Sequence, residues 1–154
     1  SKIPYFRRSV GMIFQDFRLI DNLNVYDNVA FVMRVTGQSK RDIRHRVPYV
    51  LDLVKLTDRA KAYPNKLSGG EMQRVAIARA LVKNPKIIMA DEPSGALDSV
   101  TGKQVFDTLK KLSKDKLVIV VSHDRDFATQ YADRIIELAD GRIIEDRAQE
   151  VDWL

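Results

Sequence analysis

"KIIMADE", Lys86 to Glu92, runs four apolar residues together, Ile87 to Ala90, and then places two carboxylates, Asp91 and Glu92. A strand with one wet face alternates apolar and polar residues. A short run without alternation reads instead as a strand buried on both faces, as in parallel sheets. Parallel sheets hold ligands beyond the carboxyl ends of their strands, so this pattern delivers Asp91 and Glu92 to the ligand edge. The two can divide the work, Asp91 positioning a hydrated Mg²⁺ and Glu92 taking a proton from an attacking water. Taken alone, a strand followed by an acidic turn accounts for the same residues.

Downstream, Val105, Phe106, Leu109 and Leu112 line one face of a helix, and "KLVIVVSHD", 116–124, reads as a second buried strand. A short helix over 125–131 follows. "DRIIELADGRIIED", 133–146, reads as two strands around a turn at Asp140 and Gly141. Upstream, "SVGMIFQ", 9–15, is a strand. A helix starts at Asn24, which can cap it with Asp27 three residues on, and Tyr26, Val29, Ala30 and Met33 share a face that Gly37 terminates. Ile43, Val47, Val50, Leu51 and Val54 predict an amphipathic helix over 40–55, in which Pro48 predicts a kink or a restart. Strand, helix, strand, helix, strand implies an α/β layer with parallel pairing, closed by an antiparallel hairpin.

Three further stretches carry chemistry. In "VIVVSHD", His123 follows a strand, where an imidazole can donate to a terminal phosphate and sense it. A histidine after a strand is otherwise an ordinary turn residue. Gln15 supplies a neutral amide oxygen for a metal or a water-mediated contact. "LSGGEMQ", 67–73, starts a helix at a serine and two glycines. Amides of Gly69, Gly70 and Glu71 at its positive end favour an anion by roughly 0.3 to 1 kcal/mol, and missing side chains let phosphate oxygens approach. A serine cap and a glycine turn explain it equally well. Behind it, Ala76, Ala78 and Ala80 permit close packing.

The composition narrows the classes. At 154 residues and 45% hydrophobic content, one globular domain with a sizeable core is expected. There is no cysteine, and His45 and His123 are far apart, which argues against zinc. The apolar runs are of strand length, far below the roughly 20 residues of a spanning helix. No secretory leader opens the chain, so a cytoplasmic location is expected. The net charge of +5 comes from 26 basic and 21 acidic residues interleaved, the pattern of a solvated exterior. No nucleic-acid partner is expected.

"FQD" at 14–16, "LSGGEMQRVAIARAL" at 67–81, "IIMADEPSGALD" at 87–98 and "VSHD" at 121–124 together resemble the ATPase domain of the ABC (ATP-binding cassette) family. "IPYFRRSVGMIFQDFRLIDNLNVYDNVAF", 3–31, is most similar to its FtsE-like cell-division branch, with the lipoprotein-release and macrolide-efflux ATPases close competitors. The resemblance implies an incomplete P-loop NTPase fold of the α/β class, mainly parallel sheet with flanking helices, a helical subdomain over 17–61, a signature helix over 68–83 and the C-terminal part of the core over 84–154. It matches Gln15 to the Q-loop glutamine, Ser68, Gly69, Gly70, Glu71 and Gln73 to the signature, and Asp98 to the D-loop. Asp91 matches the metal aspartate, Glu92 the catalytic glutamate and His123 the switch histidine. ATP and Mg²⁺ are the implied substrate and cofactor. The implied partners are a second ATPase subunit, head to tail, and an FtsX-like or related permease at the inner face of the cell membrane. The helical subdomain and the Q-loop are expected to receive that permease.

None of the seven glycines opens a G-x-x-x-x-G-K-[ST] phosphate loop. The family's fold places that loop, together with strands expected to flank Ile87 to Ala90, ahead of residue 1. The chain therefore reads as the C-terminal two thirds of an ATPase domain, weak or inactive in ATP hydrolysis by itself. A non-catalytic module that docks on a permease or acts in trans is the alternative. A DNA-repair ATPase, suggested by the basic run "KRDIRHR" at 40–46, is disfavoured because no heptad run separates Gln15 from Ser68.

Overall fold

The computed structural model describes residues 9–149. Residues 3–8 of the stretch that carries the resemblance, and 150–154 of the expected C-terminal part, lie outside the described residues. The chain divides into two compact units between Val121 and Ser122.

In the first unit, β1 (Val10–Ile13), β2 (Ile87–Asp91) and β3 (Leu117–Val121) form a parallel sheet in the order β1-β2-β3. Register pairs Ile13 with Ala90 and Asp91 with Val121, so all three strands end at one edge. β2 is thus flanked on both sides by strands of this same chain. The expectation that its neighbours are lost is corrected: both pair here, and each outer strand has one ladder partner among the described residues.

Among the described residues, three α-helices lie between β1 and β2. Helix α1 (Val25–Val35) is capped by Asn24, whose side chain accepts from the Asp27 amide at 2.8 Å. Helix α2 (Lys40–Leu53) is capped in the same way by Ser39. Helix α3 (Gly69–Leu81) packs against α1, α2 and β1. Val75, Ile77, Ala78 and Leu81 lie in one core with Ile13, Val29, Val50 and Ile88. The alanines act as their size predicts. Gly11 of β1 lies so close to α3 that a Cβ there would meet the Ala80 carbonyl oxygen at 2.8 Å.

Two departures have physical causes. α2 runs unbroken through Pro48, where a kink or restart is expected from the lost amide donor. Pro48 faces solvent, while Val47, Val50 and Leu51 around it are buried, so their packing holds the helix across the lost bond. β3 is a buried strand in sequence but exposes Leu117, Ile119 and Val121 at 57%, 42% and 57%. These residues share a sheet face with Met12 and Met89, and Met12 is exposed too, so that face is only partly covered among the described residues. The other face, Val118 and Val120, packs on the core beside α4 (Ser99–Leu112).

The second unit contains α5 (Arg125–Tyr131) and the antiparallel pair β4 (Arg134–Ala139) and β5 (Arg142–Ala148). Asp140 and Gly141 join the strands with φ of 49° and 73°, the left-handed pair that a two-residue hairpin turn requires.

Candidate functional site

Parallel strands that end together gather their next residues at one edge. Gln15 lies two residues past Ile13, and Asp91 is the exposed last residue of β2. Glu92 follows with φ of 45°, left-handed for a residue that carries a side chain. Pro93 comes next, and a residue before proline is normally held to extended backbone. The turn is pinned at both ends: the Glu92 amide donates to Val121 O at 2.9 Å and the Gly95 amide to Glu92 O at 3.0 Å.

Two glutamines close on this turn from other elements. A Cβ at Gly95 would stand 2.7 Å from Gln15 Nε2, so the glycine makes the space that the Gln15 amide occupies. From α3, Gln73 Nε2 donates to Pro93 O at 2.6 Å. Gln73 is expected among the nucleotide contacts but has no exposed surface. Its Oε1 accepts no hydrogen bond among the described residues.

The start of α3 is a capping box. Ser68 Oγ accepts from the Glu71 amide at 3.2 Å, and Glu71 Oε2 accepts from the Ser68 amide at 2.8 Å. The Glu71 amide is therefore already engaged, correcting its place among the free donors. Amides of Gly69 and Gly70 remain at the positive end of the helix. The Ser68 amide, and then Arg59 at 2.7 Å, hold the Glu71 carboxyl below its ordinary value. The missing side chains also have a packing role. A Cβ at Gly69 would lie 3.2 Å from Leu97 Cδ2, and one at Gly70 2.4 Å from Thr101 Cγ2.

Those neighbours bring Asp98 beside the signature. Asp98 caps α4, accepting from the Val100 and Thr101 amides at 3.1 and 3.0 Å and from Thr101 Oγ1 at 2.6 Å. The Thr101 hydroxyl, followed by backbone amides, lowers its carboxyl's pKa. The first unit thus groups Gln15 with Glu92 and Asp91, and Ser68, Gly69 and Gly70 with Asp98. His123 belongs to the second unit, exposed and one residue before Asp124, whose side chain caps α5.

Among the described residues no three of His, Cys, Asp and Glu converge as a metal cage. Asp91 and Gln15 are hard oxygen donors at one sheet edge. That set fits Mg²⁺, which keeps several waters and takes one or two carboxylates plus substrate phosphates.

Sequence reading missed Arg79. From α3 its guanidinium donates to Phe17 O at 2.8 Å and to Arg18 O, clamping two consecutive residues with φ of 57° and 48° just past Gln15. Burial, more than the nearby Arg18, lowers its pKa. An arginine in a run of buried alanines is the signal that could have found it.

Known proteins are similar to this chain in sequence and fold. The family model described as "ABC transporter" matches residues 1–95. The cell division ATP-binding protein FtsE of Streptococcus pneumoniae D39 is 40% identical over 148 residues, 96% of this chain and 64% of that protein. The methionine import ATP-binding protein MetN of Carboxydothermus hydrogenoformans is 42% identical over 91% of this chain and 42% of its own length. The dimeric post-hydrolysis ATP-binding cassette MJ0796, bound to ADP and Pi, superposes with a TM-score of 0.80 at 40% identity, over 96% of this chain and 66% of that one. This chain therefore spans about 64% of the FtsE it matches.

Proposed function

The chain belongs to the ABC transporter family, and from that premise we propose that it is part of an ATP-hydrolysing subunit that drives a membrane permease, as an FtsE-like or related ATPase. The observation that carries the reading is the left-handed Glu92 at the end of the central strand, beside Asp91 and within the turn that Gln15 covers. In this reading Glu92 accepts a proton from the water that attacks the terminal phosphate. A positioned base of this kind contributes on the order of 10² to 10⁴ in rate. Asp91 and the Gln15 amide oxygen would hold Mg²⁺, directly or through water, and its charge would supply stabilisation of the phosphate oxygens. His123 donates to the terminal phosphate.

Ser68, Gly69 and Gly70 offer a helix start, with Asp98 beside it, to ATP held by a second subunit arranged head to tail. Gln73 and Glu71 support that helix from within. The helical segment 17–61 receives the permease, which places the subunit against the inner face of the membrane. A groove of about 670 Å³, lined by Met33, Gln38, His45, Arg46, Tyr49 and Val82, supports a docking role for that segment. No helix among the described residues is long and apolar enough to cross a membrane.

These 154 residues contain no G-x-x-x-x-G-K-[ST] loop, and by themselves they turn ATP over weakly or not at all. Phosphate release from MgATP by the native full-length protein, abolished by Glu92→Gln, is the expected result. Turnover that survives Glu92→Gln overturns the assignment. The second reading is a non-catalytic module that docks on a permease or completes a partner's site, and the groove beside segment 17–61 is compatible with it. ATP-dependent association with an intact FtsE-type subunit, without turnover by any assembly containing the native protein, would decide for it.

A further inference from the structure

Asn28 and Gln73 are the fully buried polar side chains among the described residues, and they are satisfied differently. Asn28 makes four hydrogen bonds, to Ile20 N, Ile20 O, Leu23 O and Asn24 O. Gln73 donates at 2.6 Å to Pro93 O and leaves its Oε1 unmatched. A leucine or methionine would fill that volume with no orphaned amide oxygen, so stability does not account for a glutamine there. Its bond lands on the residue after Glu92, inside a turn whose first residue holds a backbone that both its side chain and the following proline disfavour.

We propose that Gln73 is a positioning residue. From the signature helix it holds the Pro93 carbonyl, and through Pro93 it keeps Glu92 left-handed, so that the carboxylate faces the sheet edge. It acts on the chemical step without touching the nucleotide. The same bond makes the helix offered to one ATP a mechanical neighbour of the carboxylate that serves another. This inference rests on the assignment of Glu92 as the base.

Two measurements test it. In the native full-length protein, Gln73→Leu should raise hydrogen exchange at the Glu92 and Gly95 amides by about tenfold, leaving α1 and α2 unchanged. Gln73→Met serves where the leucine variant fails to fold. Exchange that stays at the parent level, or rises evenly across the molecule, overturns the positioning role. In the native full-length protein, the same variants should lower kcat by about 10- to 100-fold, as a misplaced reacting group does, with KM for MgATP within about twofold. A raised KM at unchanged kcat overturns the proposal in favour of nucleotide contact. Should the parent protein show no turnover sensitive to Glu92→Gln, the functional reading fails, while the exchange result still decides whether Gln73 holds the turn.

Discussion

Gln15 and Gly95 share one volume: the amide nitrogen of Gln15 stands 2.7 Å from where a Cβ of residue 95 would be. The contact joins the residue after β1 to the turn after β2, across the sheet edge where Asp91 emerges. Gly95 has no left-handed backbone to maintain, so its lack of a side chain is explained by this approach.

Gly95→Ala should therefore spare the fold and disturb the site. The displaced atoms are the far end of a flexible side chain, so the stability cost is expected below about 1 kcal/mol, within the range of surface changes and mild overpacking. ATP turnover by the native full-length protein should fall by about tenfold or more as the Gln15 amide is pushed from the edge. Steady-state rates beside a thermal melt check this. A loss of rate no larger than the loss of folded protein would sink it.

Gly70→Ala meets a stiffer neighbour. Thr101 is β-branched, and its Cγ2 would lie 2.4 Å from the new methyl. Alanine gains up to about 1 kcal/mol in a helix interior, but forcing a methyl into packed space costs about 1 to 3 kcal/mol. Net destabilisation is expected. Adding Thr101→Ser removes the clashing methyl and keeps the hydroxyl that bonds Asp98, so the double variant should recover most of the loss. Denaturant unfolding of the single and double variants measures that coupling.

Arg79→Met should release the loop after Gln15. Two carbonyls, of Phe17 and Arg18, lose a charged donor, and both residues hold left-handed backbone that the clamp maintains. Removing hydrogen bonds to a charged group costs about 1.5 to 3 kcal/mol, part of which the methionine recovers by packing. Hydrogen exchange should rise locally over residues 17–20. A variant with parent-like exchange there would show that the loop holds itself.

Local structure was legible in the sequence because its determinants are local. Asn24 and Ser68 each announce a helix by a side chain that reaches three residues ahead, and each caps one. β2 declared itself by an uninterrupted apolar run, and the hairpin by Asp140 and Gly141. What stayed hidden depends on partners distant in sequence. Gly70 reads as open backbone until Thr101 is placed against it, and Gln73 reads as part of the nucleotide-facing signature until Pro93, twenty residues on, accepts its amide. Pro48 reads as a breaker because the buried residues that hold α2 together act through α1 and α3. The exposed face of β3 depends on which sheet face the helices cover, which no single strand encodes.

The capping box gives a pH dependence with a definite sign. Glu71 accepts from the Ser68 amide and pairs with Arg59, so its folded pKa lies below its unfolded value near 4.5. A depressed carboxyl stabilises the fold above its unfolded pKa, and that contribution is lost as pH falls through the folded pKa. Glu71→Gln keeps a side chain that can still accept from the Ser68 amide but removes the charge, both toward Arg59 and toward the positive end of α3. At pH 7 the variant should be less stable by about 0.5 to 1 kcal/mol, modest because Arg59 is half exposed at 49%. For a chain of this length that is a Tm lower by roughly 1 to 4 °C. The gap should hold down to about pH 5 and narrow as the solution is acidified further, since the side chain at 71 is then uncharged in parent and variant alike. Melts of both proteins from pH 7 to pH 3 test it; a gap that persists at the acid end would mean that the charge of Glu71 contributes nothing to the cap.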